Sequence, residues 1–326
     1  MILITGGAGF IGSNIAAKLA ADNEDVVICD WLGKSNKWMN LQQVLLSDII
    51  QPEMLDSWLA FKSKEITAVV HMGAVSSTTE QDVDLLIKNN YQLSVTLWQF
   101  CSANNIPFIY ASSAATYGDG KQGFSDDTEK RGLLDLKPIN PYGWSKHLFD
   151  LWVLRQVEKN LPHPPKWAGL KFFNVYGQNE YHKGSMQSII AQKHRALAAG
   201  GTLQLFKSGH RDYLNGEQKR DFIYIKDCVD IVQWMISSNF TSGIYNIGSG
   251  TAKSWNEVAS SMFSALGLEL KVEYIDMPPH LHGKYQYFTK ADINKLEATG
   301  CPVKFHSLEE GVTDYIVNFL NKKIAS

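Results

Sequence analysis

Apolar residues recur along this chain in short unbroken runs separated by amphipathic stretches. That is the pattern of strands buried on both faces alternating with helices that show one face to solvent. Ile2-Leu3-Ile4-Thr5 is the first such run and ends at glycine. Residues 9–21 then carry Ile11, Ile15 and Leu19 at four-residue spacing, which predicts a helix with one apolar face. Val26-Val27-Ile28-Cys29, closed by Asp30, predicts a second buried strand, and Ala68-Val69-Val70-His71 and Phe108-Ile109-Tyr110-Ala111 predict two more around a helix near 85–103. A helix over about 142–160 must stop at Pro162-His163-Pro164-Pro165, because proline offers no amide hydrogen to continue it. A strand near 167–173 follows. Strand, helix and strand in this succession imply right-handed crossovers and an α/β fold with a Rossmann-type, doubly wound parallel sheet.

Beyond about residue 178 the texture changes to polar, glycine-containing loops at 177–186 and 207–219, a strand at Gly243–Ile247 and an apolar helix near 256–266. The expected organisation is a dinucleotide-binding domain over 1–173, with returning segments near 220–250. A smaller, discontinuous C-terminal substrate-binding domain would take most of 174–326. The 326 residues, 44% hydrophobic and 20% charged, suffice for such a core. A net charge of −2 supplies no field that would recruit nucleic acid or an acidic membrane. No apolar run approaches the roughly 18 residues of a membrane helix. The four cysteines are scattered without a C-x-x-C pair, the usage of a reducing compartment. With Met1 running almost directly into a strand, the expectation is a soluble cytoplasmic enzyme with no nucleic-acid partner and no membrane insertion.

The chemistry begins at Thr5-Gly6-Gly7-Ala8-Gly9-Phe10-Ile11-Gly12, between the first strand and the first helix. Glycines at Gly6, Gly9 and Gly12 permit a tight turn, close backbone approach to a pyrophosphate and close helix–strand packing. The positive end of the helix then faces the diphosphate. Glycine clusters also mark plain turns; here the strand before, the helix after and the acid Asp30 at the end of strand two favour a nicotinamide dinucleotide. Asp30 suits the hydroxyls of an adenosine ribose, whereas Lys34 and Lys37 would suit a 2′-phosphate if Asp30 turned aside, so charge alone leaves NAD and NADP open.

Tyr142-Gly143-Trp144-Ser145-Lys146 places a phenol and an ammonium four residues apart on one helical face. A free tyrosine, with a pKa of about 10, is a poor base at neutral pH, and a neighbouring ammonium favours its phenolate. Ser113, in Tyr110-Ala111-Ser112-Ser113-Ala114-Ala115-Thr116-Tyr117-Gly118, falls at the C-terminal end of a parallel strand, where doubly wound sheets bind ligands. A serine there either caps a turn or hydrogen-bonds a reacting hydroxyl; the tyrosine motif favours the second.

Together these segments resemble the extended short-chain dehydrogenases/reductases of the NAD-dependent epimerase/dehydratase family, and more narrowly the ADP-L-glycero-D-manno-heptose 6-epimerases. The carrying stretches are 6–14, 73–80, Asn89-Asn90-Tyr91, 110–118, 142–150, 172–177, His182-Lys183-Gly184-Ser185-Met186, 219–227 and 283–292. The resemblance implies inversion of C6″ in ADP-D-glycero-β-D-manno-heptose for lipopolysaccharide core synthesis. It implies a retained NADP, with NAD admissible, that takes a hydride and returns it to the other face of a transient ketone. It assigns Tyr142 and Lys183 as acid/bases on the two faces, supported by Lys146 and Ser113. It assigns cofactor contacts to Phe10, Ile11, Asp30, Trp31, Lys37, Met72, Gly73, Ala74, Val75, Ser76, Asn89, Lys146, Val175 and Lys183, besides the glycines. Substrate contacts fall on Ser113, Asn174, Ser185, Gln192, Phe206, Arg220 and Tyr285, with the planar fork of Arg220 suited to a diphosphate. A homo-oligomer, often a pentamer in the family, is also implied.

The sequence departs from that pattern at several places. Met72 stands where relatives often have Glu, Pro52 where a cofactor lysine is expected, and Gln192 where a substrate histidine is expected. The loop 208–218 is longer than in the shortest relatives. Two rival readings share the superfamily. A nucleotide-sugar 4,6-dehydratase would carry Asp-Glu where this chain has Ala114-Ala115, and a UDP-hexose 4-epimerase has no need of Lys183. A catalytically silent dinucleotide-binding protein would be expected to lose Tyr142 or Lys146. His280 and His282 form a His-x-His pair without a third ligand at sensible spacing, so no metal is expected.

Overall fold

A computed structural model describes residues 1–127, 130–278 and 285–324. The strands in chain order are β1 (Ile2–Thr5), β2 (Val26–Cys29), β3 (Asp48–Ile50), β4 (Ala68–His71), β5 (Phe108–Ser113) and β6 (Trp167–Phe172). They continue as β7 (Asn174–Tyr176), β8 (Leu203–Phe206), β9 (Lys219–Tyr224), β10 (Gly243–Ile247), β11 (Ala252–Ser254) and β12 (Val272–Ile275). Seven of them form one parallel sheet in the order β10-β6-β5-β4-β1-β2-β3. The chain runs outward from β1 to β3 and then returns to β4 and beyond. The order therefore reverses between β1 and β4, where the strand ends open a crevice.

Alternation along each buried strand sends side chains into two cores. Ile2, Ile4, Val26, Ile28 and Val70 belong to one, and Leu3, Val27 and Val69 to the other. The first face is covered by helix Phe10–Ala21, which packs beside helix Ile225–Ser237. The second core includes Leu55, Leu59, Leu97, Trp98, Phe149 and Val153, from helices Leu55–Lys62, Leu93–Asn104 and Pro141–Glu158. Both faces of the sheet are thus dry, which is why its strands read as continuous apolar runs. A three-stranded sheet, β11-β9-β7, and a parallel pair, β12-β8, lie outside it.

The doubly wound sheet is as the alternation predicts, with ends that differ by a residue or two. Helix Pro141–Glu158 starts at proline, with the Asn140 side chain accepting from the Gly143 amide. The strand expected over 167–173 stops at Phe172, and the chain resumes at Asn174 in a different sheet. The helix expected near 85–103 spans 83–104 and contains a π turn at Ile87–Gln92. β3, a three-residue edge strand with Asp48 and Ile49 exposed, carries too little apolar signal to be read in advance. Among the described residues no helix is long and apolar enough to cross a membrane.

Candidate active site

The turn after β1 is built for close backbone approach. Gly6 has φ +64°, and a Cβ there would lie 2.6 Å from Gly73 Cα; a Cβ on Gly12 would lie 2.2 Å from the Gly6 carbonyl oxygen. Only glycine fits either position. Gly9 caps helix Phe10–Ala21 with no side chain bonded to its first amides and no acid in its first turn. Those unpaired N–H groups and the helix dipole make an anion cradle at the mouth of the crevice.

The cradle opens into a cavity of about 1110 Å³, above the ~300–1,000 Å³ of an ordinary single-ligand pocket. Along its wall lie Gly6, Gly9, Phe10, Ile11, Gly12, Asp30, Trp31, Lys37, Met72, Gly73, Ala74, Val75, Ser76 and Asn89. Ser113, Tyr142, Lys146, Asn174, Val175, Lys183, Gln192, Phe206 and Tyr285 continue it. Positions up to 279 apart in sequence thus meet around one space. Two expected positions do not line it. Ser185 is exposed, and its carbonyl accepts from the Gln192 amide at 3.1 Å. Arg220 is buried, its guanidinium stacked 5.1 Å from the Tyr285 ring centre and donating to the carbonyls of Lys219 and Gln286. Two of its five N–H donors are thereby taken up by backbone oxygens. Phe222 and Trp255 reach the wall unannounced by any motif. His280 and His282 lie outside the described residues; among those described, no three His, Cys, Asp or Glu side chains group as metal ligands.

At one end of the cavity Asp30 has not turned aside. Its carboxylate accepts from the Ala8 amide at 2.9 Å and from Lys37 Nζ at 2.5 Å. Lys37 is held in the 3-10 segment Asn36–Leu41 and also donates to the Trp31 carbonyl at 3.1 Å. Trp31 Nε1 donates to Glu53 at 2.7 Å, a bond that lowers the Glu53 carboxyl. Lys34 is exposed and away from the wall.

In the middle stand Tyr142, Ser113 and Lys146. Burial raises the Tyr142 phenol, and its hydrogen bond with Ser113 only partly opposes that rise. Lys146 donates to the Ala111 carbonyl at 2.9 Å, and burial pushes its ammonium down to about 8, with Asp150 opposing. Around them are further buried polar groups: His71 and Ser94, which no motif announced, and Asn90 from the stretch at 89–91. His71 is fully enclosed between Thr5 Oγ1 at 2.6 Å and Ser94 Oγ at 2.8 Å; burial pushes its ring down to about 3, so it stays neutral. Asn90 accepts from the Val75 amide at 2.8 Å and donates to the Val75 carbonyl and to Ser145 Oγ, each at 3.0 Å. It thereby ties the loop at 72–76 to the helix carrying Tyr142, and its place in the π turn brings it within reach.

Lys183 approaches from another element, the 3-10 segment Tyr181–Met186, whose Gly184 has φ +55°. Its ammonium lies 5.3 Å from the Phe10 ring centre. Burial lowers it, and Glu180 opposes. Glu180 fixes the segment from within, accepting from the Ser188 hydroxyl at 2.7 Å and the Ser188 amide at 2.5 Å. His182 meets Asn40 at 3.3 Å, and its ring is lowered by burial and then by Lys37 and Lys183.

Residues 2–248 match the family described as "NAD dependent epimerase/dehydratase family". The ADP-L-glycero-D-manno-heptose-6-epimerase of Nitratidesulfovibrio vulgaris (strain DP4) is 46% identical over 323 residues, 98% of each chain. The enzyme of the same name from Fusobacterium nucleatum is 46% identical over 332 residues, 99% of each. Among solved structures, the Helicobacter pylori ADP-L-glycero-D-manno-heptose-6-epimerase superposes with a TM-score of 0.79 at 31% identity, covering 97% of this chain and 95% of the other.

Proposed function

The chain belongs to the NAD dependent epimerase/dehydratase family, and we propose that it inverts C6″ of ADP-D-glycero-β-D-manno-heptose to the L-glycero epimer. The observation that carries this reading is two proton-transfer sites lining one cavity: Tyr142 with Lys146 and the neighbouring Ser113, and Lys183 from a separate element. A single acid/base would serve one face of a planar carbonyl carbon; inversion requires groups disposed toward both.

The residues present fit a nicotinamide dinucleotide. Gly6 and Gly12 leave room that a Cβ would fill, and the unpaired amides after Gly9 suit its diphosphate. Asp30 suits a ribose hydroxyl, and Lys37 supplies a cation for a 2′-phosphate. We read the cofactor as NADP, with NAD admitted by the same Asp30–Lys37 pair. Bound there, the nicotinamide supplies a hydride acceptor that afterwards serves as donor.

The chain's own residues handle the protons. Ser113 orients the sugar hydroxyl toward Tyr142, and Tyr142 takes or gives its proton while the Lys146 ammonium favours the phenolate. Burial of Lys183 lowers its ammonium, which eases release of a proton on the opposite face. Phe206 and Tyr285, 6.4 Å apart between ring centres, line the same cavity with Asn174 and Gln192, and we assign these four to the substrate. In this reading residues 1–173, with segments returning near 220–250, hold the cofactor, and most of 174–326 holds the substrate.

Ala114-Ala115, in place of an acidic pair beside Ser113, disfavours elimination chemistry. Incubation with ADP-D-glycero-β-D-manno-heptose and, separately, UDP-galactose tests the assignment. Turnover of the ADP-sugar alone is expected; turnover of the UDP-sugar alone overturns it.

A further inference from the structure

Tyr142, Lys146 and Asp150 follow one another at four-residue spacing on a single stripe of helix Pro141–Glu158. The first two line the cavity and Asp150 does not. Asp150 lies fully buried, pointing at the end of β5. One carboxylate oxygen accepts from the Tyr110 hydroxyl at 3.0 Å; the other accepts from Ser112 Oγ at 2.7 Å and Lys171 Nζ at 2.8 Å. Lys171 is equally buried, sits opposite Ser112 in the β5–β6 register, and donates also to Thr116 Oγ1 at 2.6 Å. The Thr116 hydroxyl in turn donates to the Ser113 carbonyl at 2.8 Å. A continuous chain of bonds therefore runs from Asp150 through Lys171 and Thr116 to the backbone of Ser113.

Such a pair is a poor choice for stability alone. Desolvating two charges consumes most of their attraction, and apolar residues of similar volume commonly do as well or better. Its position gives it another use. We propose that Lys171 engages Asp150 so that this carboxylate only partly neutralises Lys146, making the Asp150–Lys171 pair a positioning device that holds Ser113 and sets the pH range in which Lys146 stays charged.

Two ammoniums and one carboxylate, Lys146, Lys171 and Asp150, are thus buried close together on and beside one helix. The other titratable groups facing this cluster are Tyr110 on β5, Tyr117 with its ring centre 5.0 Å from Lys171 Nζ, and His147 on the same helix. His71 on β4 feels Lys146, and Asp126 faces Tyr117 from the far side. Burial keeps both histidines toward neutrality and both phenols protonated. Asp150 acts on Lys146 in the raising direction, as the proposal requires.

The proposal rests on the role given to Lys146 above, and three variants of the holoenzyme test it: Asp150→Asn, Lys171→Met and the double variant. The readout is the alkaline limb of the pH profile of kcat/KM, assigned to Lys146 by its disappearance in Lys146→Arg. Asp150→Asn removes the opposing charge and shifts the limb down by about 1 pH unit, while Lys171→Met frees Asp150 for Lys146 and shifts it up by a similar amount. The double variant returns it to the parental pH. The pH dependence of amine acylation at Lys146, read by mass spectrometry, should move in the same directions without turnover. A purely structural pair would lower thermal stability and activity in both single variants and leave the limb in place; that result, or shifts of one sign, overturns the proposal. A limb that survives unchanged in Lys146→Arg refutes the role of Lys146 itself and takes the proposal with it. The double variant, which leaves neither partner of the Asp150–Lys171 pair buried without the other, keeps the test available if a single variant fails to fold.

Discussion

Replacing Lys146 by methionine should make the nucleotide-free protein more stable while removing its activity. The side chain is 4% exposed, and burial brings its ammonium from 10.5 down to about 8. At about 1.36 kcal/mol per pH unit, holding that charge inside costs about 3 kcal/mol near neutral pH. Methionine keeps the length of the stem and forgoes the charge, but it leaves the Ala111 carbonyl without its donor at 2.9 Å, a loss of about 1–2 kcal/mol. A net gain of about 1–2 kcal/mol remains. The gain has a pH signature. Between about 8 and 10.5 the parent's native lysine is neutral while its unfolded lysine still binds a proton. The parent therefore gains stability as pH rises through that window, and the advantage of the variant shrinks. Urea unfolding of both nucleotide-stripped proteins near neutrality and again near the top of the window measures this. A variant less stable than the parent near neutrality, or a gain independent of pH, refutes the reasoning.

Gly12→Ala puts a methyl group 2.2 Å from the Gly6 carbonyl oxygen. The turn must move by roughly 1 Å, a displacement able to cost about 100-fold in rate. The variant should purify with little bound nucleotide, and a full complement would contradict the cradle. Tyr142→Phe and Lys183→Met should each fail to oxidise a different C6″ epimer, followed by nicotinamide absorbance when either epimer is added; failure of both variants on the same epimer refutes two-sided proton transfer. Lys37→Ala should weaken NADP relative to NAD by about tenfold, or about 1.4 kcal/mol, measured by competitive displacement, and an unchanged preference would show that Lys37 meets no 2′-phosphate.

The parts of this molecule that were legible in the sequence are those whose local pattern is forced by burial. β1, β2 and β4 are dry on both faces, so they read as apolar runs, and Gly6 and Gly12 are dictated by backbone that a Cβ would approach to 2.6 and 2.2 Å. Tyr142 and Lys146 were legible because a helix converts four-residue spacing into adjacency. Asp150 obeys the same spacing, yet its partner Lys171 comes from the neighbouring strand, and no local pattern predicts a contact set by sheet register. His71 and Ser94 were hidden for a related reason, and Asn90 stood out only through the resemblance: their partners are brought together by β4 and by the π turn, whose extra residue no periodicity reveals. Only the resemblance singled out Lys183, since a lysine in a polar glycine-containing loop is ordinarily solvated; burial against Phe10 and the anchoring by Glu180 are tertiary.

The central claim is that one hydride leaves C6″ and returns to the same carbon on the opposite face. ADP-heptose carrying deuterium at C6″, converted in ordinary water and analysed by NMR and mass spectrometry, tests it most directly. An epimerised product that keeps its deuterium at C6″, with none lost to solvent across repeated turnovers, is expected. Replacement of that deuterium by solvent hydrogen as epimerisation proceeds would mean that C6″ is deprotonated instead, and would contradict the account.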